Sequence, residues 1–339
     1  MKKNLAIAMF LLLCLNLFSQ ETASNDKRPG DSLKKEVFKF SGKPIVLLYT
    51  NFHYGFANAM GNTGFELERS YFGYQFNISS DWSAKVVFDI GNPKLSGSDL
   101  ERIAYVKNAM ISWTPGKFTL NAGLVGLEQV SLQEKFFGYR YIMKSFQDEY
   151  KFGTTADMGI VAKYKFANWV SADVTFINGE GYKKLQADNK FRYGAGITLN
   201  PCKLLTFRVY YDRADHQDVD TLGKAQENLS LFLGLKNDYF SVGAEWNDLF
   251  NANFVNAKHQ YGSSLYFRIK LPKSFELFGR WDYLFSNNDW NLAKDGQIAF
   301  LGFQYSPIKY VKIAPNCQME ITKSGKIEGL VRVNLEIAL

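Results

Sequence analysis

Along residues 157–166 the side chains alternate in character. Met158, Ile160, Ala162, Tyr164 and Phe166 fall on one side, and Asp157, Gly159, Val161, Lys163 and Lys165 on the other. After a break at Ala167-Asn168, Val170, Ala172, Val174 and Phe176 are set against Ser171, Asp173 and Thr175. A period of two places successive side chains on opposite faces of a strand. Two such arms joined by a tight turn form a β-hairpin. Each arm is about as long as a tilted strand must be to cross a bilayer.

The same alternation recurs to the end of the chain. It predicts sixteen strands, near residues 45–54, 65–78, 82–90, 101–113, 118–125, 157–166, 169–177, 190–199, 204–212, 226–236, 239–247, 261–270, 275–283, 297–305, 310–320 and 327–339. Short connections, such as Thr114-Pro115-Gly116-Lys117 and Asn237-Asp238, carry the residues that tight turns require. They alternate with longer polar connections near residues 92–99, 126–155, 178–189, 213–225, 248–260, 285–296 and 322–326. Trp82, Trp113 and Trp169 stand beside short turns, while Trp246, Trp281, Tyr211 and Tyr283 stand near the long-loop ends. Aromatic rings prefer the two water–lipid boundaries. The last strand sets Val331, Val333, Leu335, Ile337 and Leu339 against Arg332, Asn334 and Glu336, and is suited to close a ring against the first. The fold class is therefore all-β: a transmembrane antiparallel β-barrel of about sixteen strands, with short periplasmic turns and long extracellular loops. Closure leaves no unpaired sheet edge in lipid. A barrel of this size encloses water.

Composition agrees with this picture. Mean hydropathy is −0.21, although the chain holds 29 Phe and 19 Tyr. A barrel hides its apolar residues at every second position, so near-average hydropathy is expected of it. Helical spans need runs of about 20 apolar residues, and only the N-terminus approaches one. There Lys2 and Lys3 precede the apolar stretch 5–18 and a small residue, Ser19, which reads as a signal peptide over 1–19. Residues 20–43 read as a periplasmic lead-in, and 44–339 as the barrel in the outer membrane of a Gram-negative cell. Cys202 falls in a turn and Cys317 at an apolar strand position, which gives no disulfide framework. The net charge of +7 is mild and does not point to nucleic acid.

Polar strand faces turned inward place Lys85, Arg102, Lys163, Lys165, Arg192, Arg208, Arg268, Lys270, Arg280, Lys312 and Arg332 inside. Asp89, Asp157, Asp173, Asp212, Glu245, Glu276, Asp282, Glu320 and Glu336 face them. A small excess of fixed cations favours anions. The connection 126–155 holds Phe136, Phe137, Tyr139, Tyr141, Ile142, Met143 and Phe146, too many large apolar groups to stand in water. It is expected to fold into the lumen and narrow it, presenting Arg140 and Lys144 to solute; a surface cap or subunit contact is the alternative.

Catalytic and metal readings find less support. His53, His216 and His259 are scattered, and no spacing pairs one with a nucleophilic Ser. Asp215, His216, Asp218 and Asp220 offer oxygen-rich Ca²⁺ ligands, but without the glycine turn that fixes such a loop, a solvated acidic loop is the plainer reading. The run Asn178-Gly179-Glu180-Gly181-Tyr182 reads as a turn between strands and not as a phosphate cradle. No cofactor is expected.

Several phrases carry a resemblance. Glu68-Arg69-Ser70-Tyr71-Phe72-Gly73, the stretch 109–123 across its Thr-Pro-Gly turn, Arg140-Tyr141-Ile142-Met143-Lys144-Ser145, and Ala156-Asp157-Met158-Gly159 resemble the phosphate-selective porin O/P family, particularly its Bacteroidota relatives. The resemblance spans most of the chain after the leader. It implies sixteen strands, a homotrimer and a lumen basic enough for anions. The arginine ladder of phosphate-preferring members finds no position-by-position match here. The expected function is that of an outer-membrane porin giving passive diffusion of small hydrophilic solutes, with a preference for anions (phosphate). The alternatives are a plugged barrel that binds a surface ligand or partner, and a barrel hydrolase.

Overall fold

The computed structural model describes residues 41–91, 102–186, 189–215 and 223–339. The expected signal peptide and most of the lead-in lie outside these residues. Sixteen strands run in chain order: β1 Ser41–Ala57, β2 Thr63–Asn77, β3 Trp82–Gly91, β4 Ile103–Trp113, β5 Phe118–Gly126, β6 Ala156–Ala167, β7 Val170–Ile177 and β8 Arg192–Leu199. They continue as β9 Leu205–Ala214, β10 Gln226–Lys236, β11 Phe240–Phe250, β12 His259–Leu271, β13 Phe275–Ser286, β14 Gly296–Ile308, β15 Val311–Thr322 and β16 Ile327–Ala338. Each is antiparallel to its sequence neighbours, and β1 pairs with β16 to close the barrel. The seam runs from Leu47↔Ala338 to Ala57↔Glu328, and Leu339 exchanges backbone hydrogen bonds with Val46.

All sixteen predicted strands are present, with ends displaced by a few residues. β1 begins at Ser41, so residues 41–43 belong to the barrel and not to the lead-in. The β6–β7 turn is Asn168-Trp169, one residue later than expected, next to a register shift between Lys165 and Ala167. The β14–β15 turn is Lys309-Tyr310, because Ser306-Pro307-Ile308 continues the strand through an irregular pairing. Two connections at the long-loop end are short, residues 58–62 and 323–326. Among the described residues the long-loop connections are shortest over the wall formed by β15, β16, β1 and β2.

The outer face is apolar. Phe72, Val174 and Leu231 are 41%, 50% and 37% exposed, which excludes a second sheet packed over them. Stacked Trp82 and Trp113 mark the short-turn end, and Trp246, Tyr261 and Phe285 cluster toward the long-loop end. Cys317 lies on this outer face and Cys202 in a turn, both as free thiols. No described helix is long and apolar enough to cross a membrane; the apolar belt belongs to the strands. The core is thus inside the ring, where buried residues such as Tyr266, Phe278 and Phe300 meet the long connection after β5.

Candidate constriction inside the barrel

Residues 127–155 turn inward and pack on the wall. This segment holds α1, Glu128–Phe137, and a single turn α2, Phe146–Glu149, where the sequence reading has only a loop. The periodicity was available: Gln129, Gln133 and Phe137 recur every four residues and share the buried face of α1. Glu128 in the first turn and Lys135 in the last suit the helix dipole. Gly138 ends the helix at φ 81°, with its N–H donating to the Glu134 carbonyl, the left-handed stop that glycine permits.

The wall prepares a seat for this segment by breaking its own alternation. On β10 the inward series Gln226, Asn228, Ser230 is followed by Phe232 and Gly234. The Phe136 ring lies over Gly234, where a β-carbon would stand 2.4 Å from it, and meets Phe232 edge-on at 4.9 Å. Phe137 packs against Tyr266 at 5.3 Å and Phe300 at 6.0 Å, while Tyr139 stacks on Phe278 at 4.2 Å. Tyr141 approaches Tyr49 of β1 at 6.2 Å. The hydroxyls also find partners: Tyr139 donates to Glu276 Oε2 at 2.8 Å and Tyr141 to Gln304 Oε1 at 2.7 Å. Burial pushes both phenols well above their ordinary range, so they remain neutral donors. These inward aromatics escaped the sequence reading, though Phe232, Tyr266, Phe278 and Phe300 stand out as apolar residues in the polar register of their strands.

Charged latches hold the same segment. Arg208 is fully buried and grips Asp173 through both terminal nitrogens, at 2.6 and 3.0 Å. Its Nε donates to Gln129 Oε1 of α1 at 2.7 Å, and Gln129 in turn donates to Ser230 Oγ at 2.9 Å. The guanidinium lies over Gly196, whose lack of a β-carbon leaves it room. Arg280 clasps Asp282 at 2.8 and 2.6 Å and donates to the Lys144 carbonyl at 2.5 Å. Arg192 pairs with Asp212 at 2.7 Å, and Asn228 completes that carboxylate. Arg192, Arg208 and Arg280 thus face the interior as the alternation requires, yet they are sealed and neutralised. They do not meet solute as open charges.

The other candidates divide similarly. Asp89 is buried against Arg69 at 3.4 Å and the Tyr182 hydroxyl. Asp157 accepts from the backbone N–H groups of Gly179 and Gly181, so the 178–182 turn is braced by the protein's own carboxylate. Arg140 is held by Glu134 at 2.8 Å and Asp148 at 3.0 Å; Lys144 lies 3.8 Å from Glu149 and is partly exposed. Arg140 and Lys144 both line the interior space beside this segment, Arg140 flanked by two carboxylates. Arg102 donates to the Leu67 carbonyl, and Arg268 lies beneath Gly138. Asp215 pairs with Arg213 at 3.2 Å, while His216, Asp218 and Asp220 lie outside the described residues. His53 is hydrogen-bonded by Asn51 and Asn62, and His259 pairs with Asp248.

Four lysines stand apart from these pairs. The charges that act most on Lys85 are those of Lys107, Lys43 and Lys135. Among the described residues none of these four has a carboxylate within ion-pair reach. Lys107 Nζ lies 4.4 Å over the Tyr71 ring and 3.3 Å from its hydroxyl. Lys43, Lys107 and Lys135 were absent from the expected site: Lys43 pairs toward Lys85 through Gln75 from residues read as lead-in, while the β4 irregularity that turns Lys107 and the helix α1 that carries Lys135 are not visible in strand alternation.

One tether on this side titrates. Glu128 accepts from Lys163 Nζ at 2.5 Å. Burial alone would raise its carboxyl, but the hydrogen bond and charge of Lys163 outweigh burial and hold it below the ordinary value of 4.5. A depressed carboxyl contributes stability above its unfolded value and loses it as pH falls through its folded value. The tether is expected to hold at mildly acidic pH and to fail only below the ordinary Glu range. Current noise in single-channel records should then rise only in that range, whereas Glu128→Gln should be noisy at every pH. A wild-type transition at or above the ordinary value would contradict this.

Neither a protein-family model nor a curated protein matches the chain. Solved structures do. The anion-selective porin from Comamonas acidovorans is 11% identical, with 89% of this chain and 100% of that one covered at a TM-score of 0.67. The outer membrane channel DcaP of Acinetobacter baumannii is 11% identical, covering 88% and 97% at 0.65. OmpT of Vibrio cholerae in its trimer form is 10% identical, covering 88% and 99% at 0.57. At these identities the shared property is the fold.

Proposed function

We propose that this chain is an outer-membrane porin that lets small hydrophilic solutes, preferentially anions, diffuse down their gradients. The carrying observation is a closed sixteen-strand barrel, apolar outside, whose charged interior is narrowed by an inward segment. Lipid accepts such a wall because every strand is paired, and water fills a bore this wide. Anion preference rests on Lys43, Lys85, Lys107 and Lys135, whose charges no carboxylate cancels at close range. The phosphate-selective resemblance and the Comamonas porin point the same way. Assembly as a homotrimer accords with the resemblance and with the trimer form of the Vibrio protein.

The deciding measurement is the reversal potential of the reconstituted protein in a planar bilayer under a KCl gradient. Stepwise currents and an anion-signed potential are expected. Changing Lys85, Lys107 and Lys135 together to Glu should reverse that sign. A cation-signed wild type would remove the anion preference. A second reading, a barrel plugged by 127–155, draws on the aromatic seat itself; a correctly inserted protein that gives no current steps would favour it.

A further inference from the structure

A cavity of about 410 Å³ opens between the inward segment and the wall of β14, β15, β16, β1 and β2, toward the long-loop end. Its wall is the one whose long-loop connections, 58–62 and 323–326, are short. Its volume lies in the range of small-molecule sites. Most charges on its surface are already matched at close range. Arg69 faces Asp89, Arg140 faces Glu134 and Asp148, Lys144 faces Glu149, and Glu328 accepts from Lys326.

Among the described residues three charges on this surface are not matched. There Arg332 donates only to Gln318 Oε1, at 2.9 Å, and Glu68 accepts only from Asn51, at 2.7 Å. Glu320 has no hydrogen bond or ion pair among the described residues, and the carboxylate opposite it in register is Glu328. Arg332 acts electrostatically on Glu68 and, after Lys326, on Glu320, yet among the described residues no cation comes within the 4.0 Å of an ion pair with either carboxylate. Opposite charges thus line one half-buried space without meeting across it. Ile142, Met143, Ile298 and Leu330 supply apolar lining beside them.

We propose that this cavity is a binding subsite for small zwitterions of amino-acid or dipeptide size. The ammonium group lies on Glu320, the carboxylate on Arg332, and the side chain on the apolar lining. A simple cation or anion would satisfy one sign and leave the other half-buried and unpaired, which is unfavourable. A zwitterion meets both signs and brings no net charge. The inference deepens the porin reading by naming a solute class, and rests on that reading for passage though not for binding.

The test uses the full chain in planar bilayers near pH 6, with L-leucine, its amide (cationic only) and 4-methylpentanoate (anionic only) added to either side. L-leucine is expected to interrupt the current in a saturable way, and each single-charge analogue to require about tenfold more. Glu320→Gln should lower the potency of leucine to that of 4-methylpentanoate. Arg332→Gln should lower it to that of the amide. Equal action of the three compounds on the wild type, or variants that keep the leucine preference, would overturn the proposal. If the wild type carries no current, the porin reading fails by itself. Equilibrium dialysis of labelled leucine against the detergent-solubilised chain then decides the site: saturable binding weakened in both variants supports it, and none overturns it.

Discussion

Replacing Arg208 by Met is expected to cost about 3–5 kcal/mol, because it leaves Asp173 buried without a counter-charge. Asp173 is 3% exposed and Arg208 is 0%, so water does not replace the lost partner. The same change removes the Nε donor to Gln129 and frees the first turn of α1 from the wall. Urea unfolding in detergent micelles should show the lower stability, and single-channel records should show added noise as the inward segment loosens. Arg208→Met combined with Asp173→Leu should recover most of the stability, since an apolar pair of similar bulk often matches a buried ion pair. Noise should persist in the double variant, because Gln129 still lacks its donor. A single variant as stable as the wild type would show that this pair does not anchor the segment.

Replacing residues 136–146 by a short Gly–Ser linker should raise single-channel conductance by on the order of twofold or more, since a sixteen-strand bore is otherwise wide enough for an aqueous channel. The excised stretch supplies Phe137, Tyr139 and Tyr141, the rings that fill the seat of Tyr266, Phe278, Phe300 and Tyr49. It also removes Arg140 and Lys144 from the cavity near the long-loop end. Lys135 stays, so the anion sign of the reversal potential should survive while the current grows. Unchanged conductance in a correctly inserted barrel would mean that the segment does not set the narrowest point. The two expected results separate the roles of latch and wedge: Arg208 governs how firmly the segment is held, and the aromatic stretch governs how much of the bore it occupies.

Strand number, strand order, the outward face and the inward direction of the 127–155 segment were legible because each is a local property. Alternation follows from the strand dihedrals of a few successive residues. Met158, Ile160, Val174 and Phe176 declare the lipid face with no knowledge of their neighbours. A connection rich in large rings must bury them somewhere, and of the lumen and a surface cap or subunit contact it is the lumen where they pack. Even the irregular turns at Asn168-Trp169 and Lys309-Tyr310 missed the expected positions by only a residue or two.

Which inward charges are open to water was not legible. Alternation assigns Arg208 and Lys85 to the same face with equal force, and only packing distinguishes them. Arg208 reaches Asp173 from two strands away and Gln129 from a helix 79 residues earlier, and so disappears beneath α1. Lys85 finds only like charges, one of them Lys135 on the exposed side of that helix. The alternation of the sequence by itself determined the barrel, its greasy exterior and its wet interior. The tertiary structure decided which interior charges are structural and which remain open, because neutralisation and burial depend on atoms brought within a few ångströms by register and loop docking, and a pattern of successive residues does not encode those distances.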